Sequence, residues 1–201
     1  MLRFLTSGES HGQALVTILE GLPAGLTIDF EAITLELRRR QGGYGRGRRM
    51  AIESDRAEIL SGVRRGRTTG APVALLVRNK DWTNWQNTMH VEEEAPAGAT
   101  GANRAAVVRP RPGHADLAGA LKYDHEDIRD VLERASARET AARVAAGAIA
   151  RQLLHAVGCE IPSHITGIPA FTIKKRPFTL PRSSCLYHVV PRADLIRAAA
   201  G

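Results

Sequence analysis

Two histidines and a set of arginines carry the chemistry open to this chain. His114 lies in residues 109–123, RPRPGHADLAGALKY, held by Pro112 and Gly113 directly behind Arg109 and Arg111. Proline fixes φ and glycine frees it, so the backbone bends sharply where imidazole and guanidinium groups converge. Guanidinium groups grip phosphate or carboxylate in a fork, and imidazole exchanges protons near neutrality. The segment reads as an anion site. His11 stands beside Ser10 in GESHG, residues 8–12. Adjacent side chains on extended backbone point apart, and no GxSxG elbow is present. A nucleophilic serine is therefore set aside in favour of a proton donor or phosphate ligand.

Two further stretches add cations. Residues 38–49, RRRQGGYGRGRR, superficially resemble a dinucleotide fingerprint, but that motif must follow a strand and open a helix, whereas this one follows a helix. Its amides and guanidinium forks can close around an anion with several charged oxygens. In residues 132–143, LERASARETAAR, Ser136, Arg138 and Thr140 interrupt a helical period. One helix ends there and another starts, with an amide-rich N-terminus turned to an anion. Glu133, Arg134, Arg138 and Glu139 also fit ordinary helix ion pairs. No metal site is expected, and Cys159 and Cys185 lie too far apart for a zinc motif or a disulfide framework.

The elements that must hold these residues are short. Strands are expected at 2–6 and 14–20, on either side of the GESHG loop, and at 58–63 and 72–78, divided by GRTTGA. Asp29 is an N-cap for a helix through Arg40, with Ile33 and Leu37 on one face. Residues 79–108 show no period and read as a mobile excursion, a candidate lid. Asp124 is expected to cap a helix from about Glu126 that turns Ile128, Val131 and Leu132 inward. Residues 140–157 form the clearest helix, with Val144, Ala148, Ile149 and Leu153 on its apolar face and Gly158 closing it. Small residues on its other faces, Gly147 among them, predict close approach by neighbours. After Ile168 prolines break the chain into short basic pieces, with a last helix near 193–199.

Composition fits this picture. The 201 residues suffice for one domain, and with 43% apolar but only 4% aromatic residues the aliphatic side chains must supply the core. A net charge of +7 calls for an acidic partner. No stretch approaches the roughly 20 apolar residues of a membrane span, and no signal peptide is read, so a cytoplasmic protein is expected.

Five motifs in order, GESHGQALVTILEGLPAG, RRRQGGYGRGRRM, ILSGVRRGRTTGAPVALLVRNKD, RPGHADLAGALKY and RASARETAARVAAGAIA, resemble the chorismate synthase family. The resemblance covers residues 1 to about 168 and sets 169–201 apart as a divergent, irregular tail on a truncated chain. It implies an α+β fold, the family's β-α-β sandwich left incomplete, and a homotetramer. It also implies a phosphate lyase that makes chorismate from 5-enolpyruvylshikimate 3-phosphate by anti-1,4-elimination, with reduced FMN and, in bifunctional members, NADPH. By the same resemblance His11 donates a proton to the leaving phosphate and His114 serves the flavin's pyrimidine edge. Ser10, Arg40, Arg46, Arg49, Arg111 and Arg138 bind substrate, and Arg134, Ala135 and Ser136 form a flavin-binding turn. Arg40 and Arg46 match NADPH positions as well. Two rivals stand beside it: a basic nucleic-acid-binding module, for which aromatic stacking residues are scarce, and a non-catalytic remnant that pairs with intact subunits.

Overall fold

The apolar runs ALVTILE and VALLVR build the centre of the molecule. In the computed structural model, which describes residues 1–42 and 54–161 and the backbone of 167–168 and 171–172, these segments are adjacent strands. β1 (Arg3–Ser7), β2 (Ala14–Glu20), β3 (Ala57–Ser61) and β6 (Val73–Arg78) form one antiparallel sheet in the order β1-β2-β6-β3. The register pairs Leu15 with Val77, Thr17 with Leu75 and Leu19 with Val73, which puts all six on one face, and all six are buried. The opposite face carries Ile18, beside Leu5 on β1 and Ala74 on β6. β1 is much more exposed, with Phe4 at 51% and Leu5 at 69%. The other outer strand of the described sheet, β3, shifts register between Ile59 and Ser61. The stretch read as plain turn material holds a small hairpin, β4 (Val63–Arg64) with β5 (Arg67–Thr68).

Helices cover the buried face. α1 (Phe30–Gln41) starts where expected: the Asp29 side chain accepts from the Glu31 and Ala32 amides, and Ile33 and Leu37 are buried. The longest helix, Thr140–Ala156, buries Ala141, Ala142, Ala145, Ala146, Ala148 and Ile149. Thr17 Oγ1 donates to the Ala142 carbonyl at 3.1 Å, so the start of this helix lies directly on the sheet. Alanines permit that approach. Gly147, by contrast, is exposed, and a Cβ there would meet nothing, so the expectation of close neighbours fails at that position.

Two expectations change. Residues 79–108 are not structureless: a 3-10 turn (Trp82–Asn84) leads into a short helix, α2 (Gln86–Met89). This turn is braced by the returning chain, with Asn87 Nδ2 donating to Gly101 O at 2.7 Å and Thr100 Oγ1 to Thr83 O at 2.5 Å. Asp124 caps no helix start. It ends α3 (Asp116–Tyr123) at φ 56°, ψ 45°, a left-handed conformation that aspartate tolerates better than most residues. The next helix, α4 (Arg129–Arg134), is opened by Asp127, whose Oδ1 accepts from the Arg129 and Val107 amides. The break at 135–140 is present: a 3-10 turn (Ala137–Glu139) separates α4 from the long helix, α5 (Thr140–Ala156).

Cα proximity divides the chain into Met1–Ile149, described above, and Ala150–Gly201. The second contains the end of α5 and the two-residue strands β7 (Gly167–Ile168) and β8 (Phe171–Thr172), which pair antiparallel. Residues 43–53, Cys185 and the expected helix near 193–199 lie outside the described residues.

The β1–β2 connection depends on Gly8, at φ +99°, where a Cβ would stand 2.3 Å from the Ala14 carbonyl oxygen. Gly8→Ala is expected to lose about 1–3 kcal/mol from backbone strain, read as a lower urea midpoint. An unchanged midpoint would show that the loop does not need this bend.

Candidate functional site

The bend at Gly8 delivers Ser10 and His11 to α4. The Ser10 amide donates to the Glu133 carbonyl at 3.0 Å, and the His11 amide donates to Glu133 Oε2 at 2.9 Å. His11 Nδ1 lies 2.7 and 2.9 Å from the two oxygens of the same carboxylate. Glu133 is only 1% exposed. From the sheet side, Asn79 Nδ2 donates to the Gly12 carbonyl at 2.9 Å and the Ser10 carbonyl at 3.4 Å. Trp85 stacks on the imidazole with centroids 3.6 Å apart and planes 21° off parallel. The Arg104 guanidinium lies 4.1 Å from the indole centroid.

A second group forms where α1 meets the 135–140 break. Arg138 Nη1 is 2.6 Å from Asp55 Oδ2, and Arg40 Nη1 is 3.3 Å from the same oxygen. The Asp55 side chain is 2% exposed. Arg40 also donates through Nε to Thr140 Oγ1 at 2.8 Å and through Nη2 to Ala137 O at 3.0 Å. Ser136 Oγ accepts from the Arg138 amide and so caps the 3-10 turn. Arg134 reaches back to the end of β1, donating to Thr6 O at 2.9 Å, and lies 3.5 Å from Glu139. Burial pushes the Glu139 carboxyl up, but the Thr6 hydroxyl, Arg143 and Arg134 more than offset this and hold it below its usual range.

The third group is the PGH turn. Arg111 donates through Nε and Nη2 to the two oxygens of Asp116, both at 2.8 Å, and its amide donates to Oδ2 at 2.9 Å. Asp116 is fully buried at the start of α3. The Arg111 hydrogen bonds hold its carboxyl down at about 2, against a desolvation cost, with His114 adding a smaller pull. Arg111 is raised above its usual range chiefly by Asp116, with the Glu133 charge contributing as well, which brings this turn within electrostatic reach of the His11 group. His114 itself is exposed.

A depressed carboxyl stabilises the fold above its ordinary value near 3.8, and that contribution disappears as pH falls through about 2. Because Arg111 is partly exposed, the contribution amounts to about 1–2 kcal/mol. Asp116→Asn is therefore expected to flatten the loss of unfolding free energy between about pH 4 and pH 2 in urea titrations. Parallel curves for the two proteins would rule the pair out as an acid-sensitive element.

The expected residues thus fall into three groups, each organised by a carboxylate that sequence reading did not assign. Ser10 and His11 assemble on Glu133, Arg40 and Arg138 on Asp55, and Arg111 on Asp116 with His114 in the same turn. Ala135 is exposed between Arg134 and Ser136. Arg46 and Arg49 lie outside the described residues. Glu133 and Glu139 read as local helix partners; Glu139 does pair with Arg143 one turn on, at 2.8 Å, but Glu133 serves a residue 122 positions away. Trp85 and Asp55 gave no sequence signal beyond residue type. A hollow lined by Arg151, Leu154, His155, Cys159, Glu160 and Ile161 contains none of the expected residues. Among the described residues no His, Cys, Asp and Glu group could hold a metal ion, and no helix is long and apolar enough to cross a membrane.

Comparison with known proteins decides the family. The profile described as chorismate synthase matches residues 2–198. The chain belongs to the chorismate synthase family. A chorismate synthase of Desulforudis audaxviator is 63% identical over 161 residues, covering 80% of this chain and 40% of that protein. One from Exiguobacterium sp. is 51% identical over 200 residues, 99% of this chain and 51% of the relative. A crystal structure of chorismate synthase superimposes with a TM-score of 0.56 at 46% identity, covering 78% of this chain and 35% of that one. The α+β class expected from sequence is borne out, and the nucleic-acid reading is not favoured. The chain spans about half or less of the length of these relatives. Chorismate synthase likeness continues to residue 198, across the stretch after Ile168 in which sequence reading found none.

Proposed function

We propose that this chain provides the phosphate-binding and proton-donating part of a chorismate synthase site, acting in the anti-1,4-elimination of phosphate from 5-enolpyruvylshikimate 3-phosphate. The observation that carries this reading is the set of side chains held ready on buried carboxylates: the His11 imidazole on Glu133, and the guanidinium groups of Arg40 and Arg138 on Asp55 and of Arg111 on Asp116. Groups fixed before the ligand arrives need no reorganisation as negative charge develops on the departing phosphate.

In the elimination the C–O bond breaks with its electrons on phosphate, the C–H electron pair enters the ring's double bonds, and the proton released to solvent balances the one the phosphate takes up, so no net redox change results. His11, turned by Glu133 so that Nε2 is its outer nitrogen, donates a proton to the leaving phosphate, and Ser10 helps hold the substrate. Arg40, Arg111 and Arg138, with Arg46 and Arg49, counter its phosphate and two carboxylates. The fork to Asp116 uses Nε and Nη2 of Arg111, which leaves Nη1 on the side away from that carboxylate.

The donors present fit an anionic flavin edge: His114 is exposed beside the half-exposed Arg111, whereas Arg134 is engaged with Thr6 and Glu139, so the turn would meet the cofactor at the exposed Ala135 and the partly exposed Ser136. Reduced FMN, when bound, lends electron density to the substrate. NADPH at Arg40 and Arg46, a homotetramer and a cytoplasmic location belong to the same reading.

Anaerobic mixing of the purified chain with reduced FMN and 5-enolpyruvylshikimate 3-phosphate tests the proposal. Chorismate formation with stoichiometric phosphate release is expected. Substrate binding without turnover would favour a non-catalytic remnant, and absence of both would overturn the reading.

A further inference from the structure

His11 is gripped from two directions by residues that neither the motifs nor the family match singles out. One is Glu133. Its carboxylate lies within 2.9 Å of both His11 Nδ1 and the His11 amide, while its carbonyl takes the neighbouring Ser10 amide. The carboxylate already accepts from the His11 amide, and Nδ1 set against both of its oxygens completes it as an acceptor when that nitrogen bears the hydrogen. Nε2 is then the nitrogen that exchanges protons with whatever lies beyond the ring.

The other is Trp85, whose indole lies flat against the imidazole. This ring is not placed to fill the sheet–helix core. It stands on the 3-10 turn after Asp81, half-buried, and its Nε1–H donates to Asp81 Oδ2 at 2.9 Å. Asp81 is itself tied through its amide to Asn79 Oδ1 at 3.1 Å, and Asn79 Nδ2 holds the Ser10–Gly12 backbone. The bracing therefore closes on itself, from the histidine loop through Asn79 and Asp81 to the indole and back to the imidazole. The returning chain adds to it. Gly101 adopts φ +91° with its missing Cβ 2.3 Å from Asn84 O, so residues 99–101 press directly on the turn that presents Trp85. Among the described residues, the charged groups around this stack include Glu133 on α4, Asp81 at the indole N–H, and Arg104 and Arg129, whose guanidinium carbons lie 4.1 and 6.0 Å from the indole centroid.

We propose that Glu133 and Trp85 are positioning residues for His11: the buried carboxylate fixes hydrogen on Nδ1, and the indole fixes the plane of the ring, so that Nε2 faces the bound anion. The role of that anion rests on the proposed function, but the tautomer and the stack do not.

The test uses the whole chain with ¹⁵N-labelled imidazoles, its His11 signals identified by their loss in His11→Asn. At a pH where the ring is neutral, two-bond ¹H–¹⁵N spectra are expected to show His11 in the Nδ1–H form. Glu133→Leu, which removes the acceptors, is expected to lose that preference. Ring protons of His11 are expected to show cross-relaxation to Trp85 and an upfield displacement that Trp85→Leu abolishes and Trp85→Phe partly keeps. Should a variant fail to fold, the wild-type chain still decides, because tautomer and inter-ring cross-relaxation are read without any substitution. An Nε2–H tautomer in the wild-type chain, or His11 ring protons with no cross-relaxation to Trp85, overturns the proposal. A chain that binds no substrate yet shows both signatures removes the functional reading and leaves the positioning intact.

Discussion

Asp55→Ala is expected to lower the unfolding free energy by about 3–5 kcal/mol, the penalty for leaving a buried charge without its partner. The carboxylate lies 2.6 Å from Arg138 and 3.3 Å from Arg40, and the arginine side chains are themselves largely buried. Removing it takes the shared carboxylate from two guanidinium groups in a poorly solvated space between α1 and the 3-10 turn. Urea denaturation at neutral pH measures the effect. Asp55→Asn should cost less, because an amide oxygen can still accept from one arginine. A loss below about 1 kcal/mol for the alanine variant would mean that the pair is solvated and that preorganisation there has been overstated.

His11→Ala is expected to lower the rate of phosphate release by about 10²–10⁴-fold, the usual contribution of a positioned general acid. Arg40 and Arg138 are seated together on Asp55 and Arg111 on Asp116, none of them on His11, so substrate binding should change far less than turnover. Single-turnover phosphate release under anaerobic conditions separates the two. A variant that retains more than about a tenth of the wild-type rate would assign the proton to another group. His114→Ala makes a useful contrast, since that ring is exposed and is engaged by neither Glu133 nor Trp85.

How much of this was legible in the sequence depends on how far each residue reaches. Asp29 and its helix, the short apolar runs of β2 and β6 between turns and the alanine-rich α5 were readable, because caps, runs and periods are local and act within a few positions. Asp124 misled because aspartate suits both a helix start and the left-handed residue that ends one; only the position of α3, hidden beside the PGH motif, tells the two apart. The cations of the site were visible as types in clusters. Their carboxylate partners were not: Asp55 and Arg138 are separated by 83 residues and His11 and Glu133 by 122, and no spacing rule links such distances. Trp85 lay in a segment without periodicity, because a turn braced by side-chain hydrogen bonds has no repeating pattern to read.

The two margins of the central sheet differ in a way that bears on handling the protein. At β3 the register shift twists the rim out of line, and Arg78 reaches Glu58 there at 2.8 Å, placing charge beside it. The opposite rim, Arg3–Ser7, runs regularly against β2 and displays Phe4 and Leu5 to solvent. Bulges and charges discourage a stray chain from extending a ladder, whereas a regular apolar rim invites it. Concentrated samples should therefore lose material through the N-terminal rim first, at a rate that salt does little to slow.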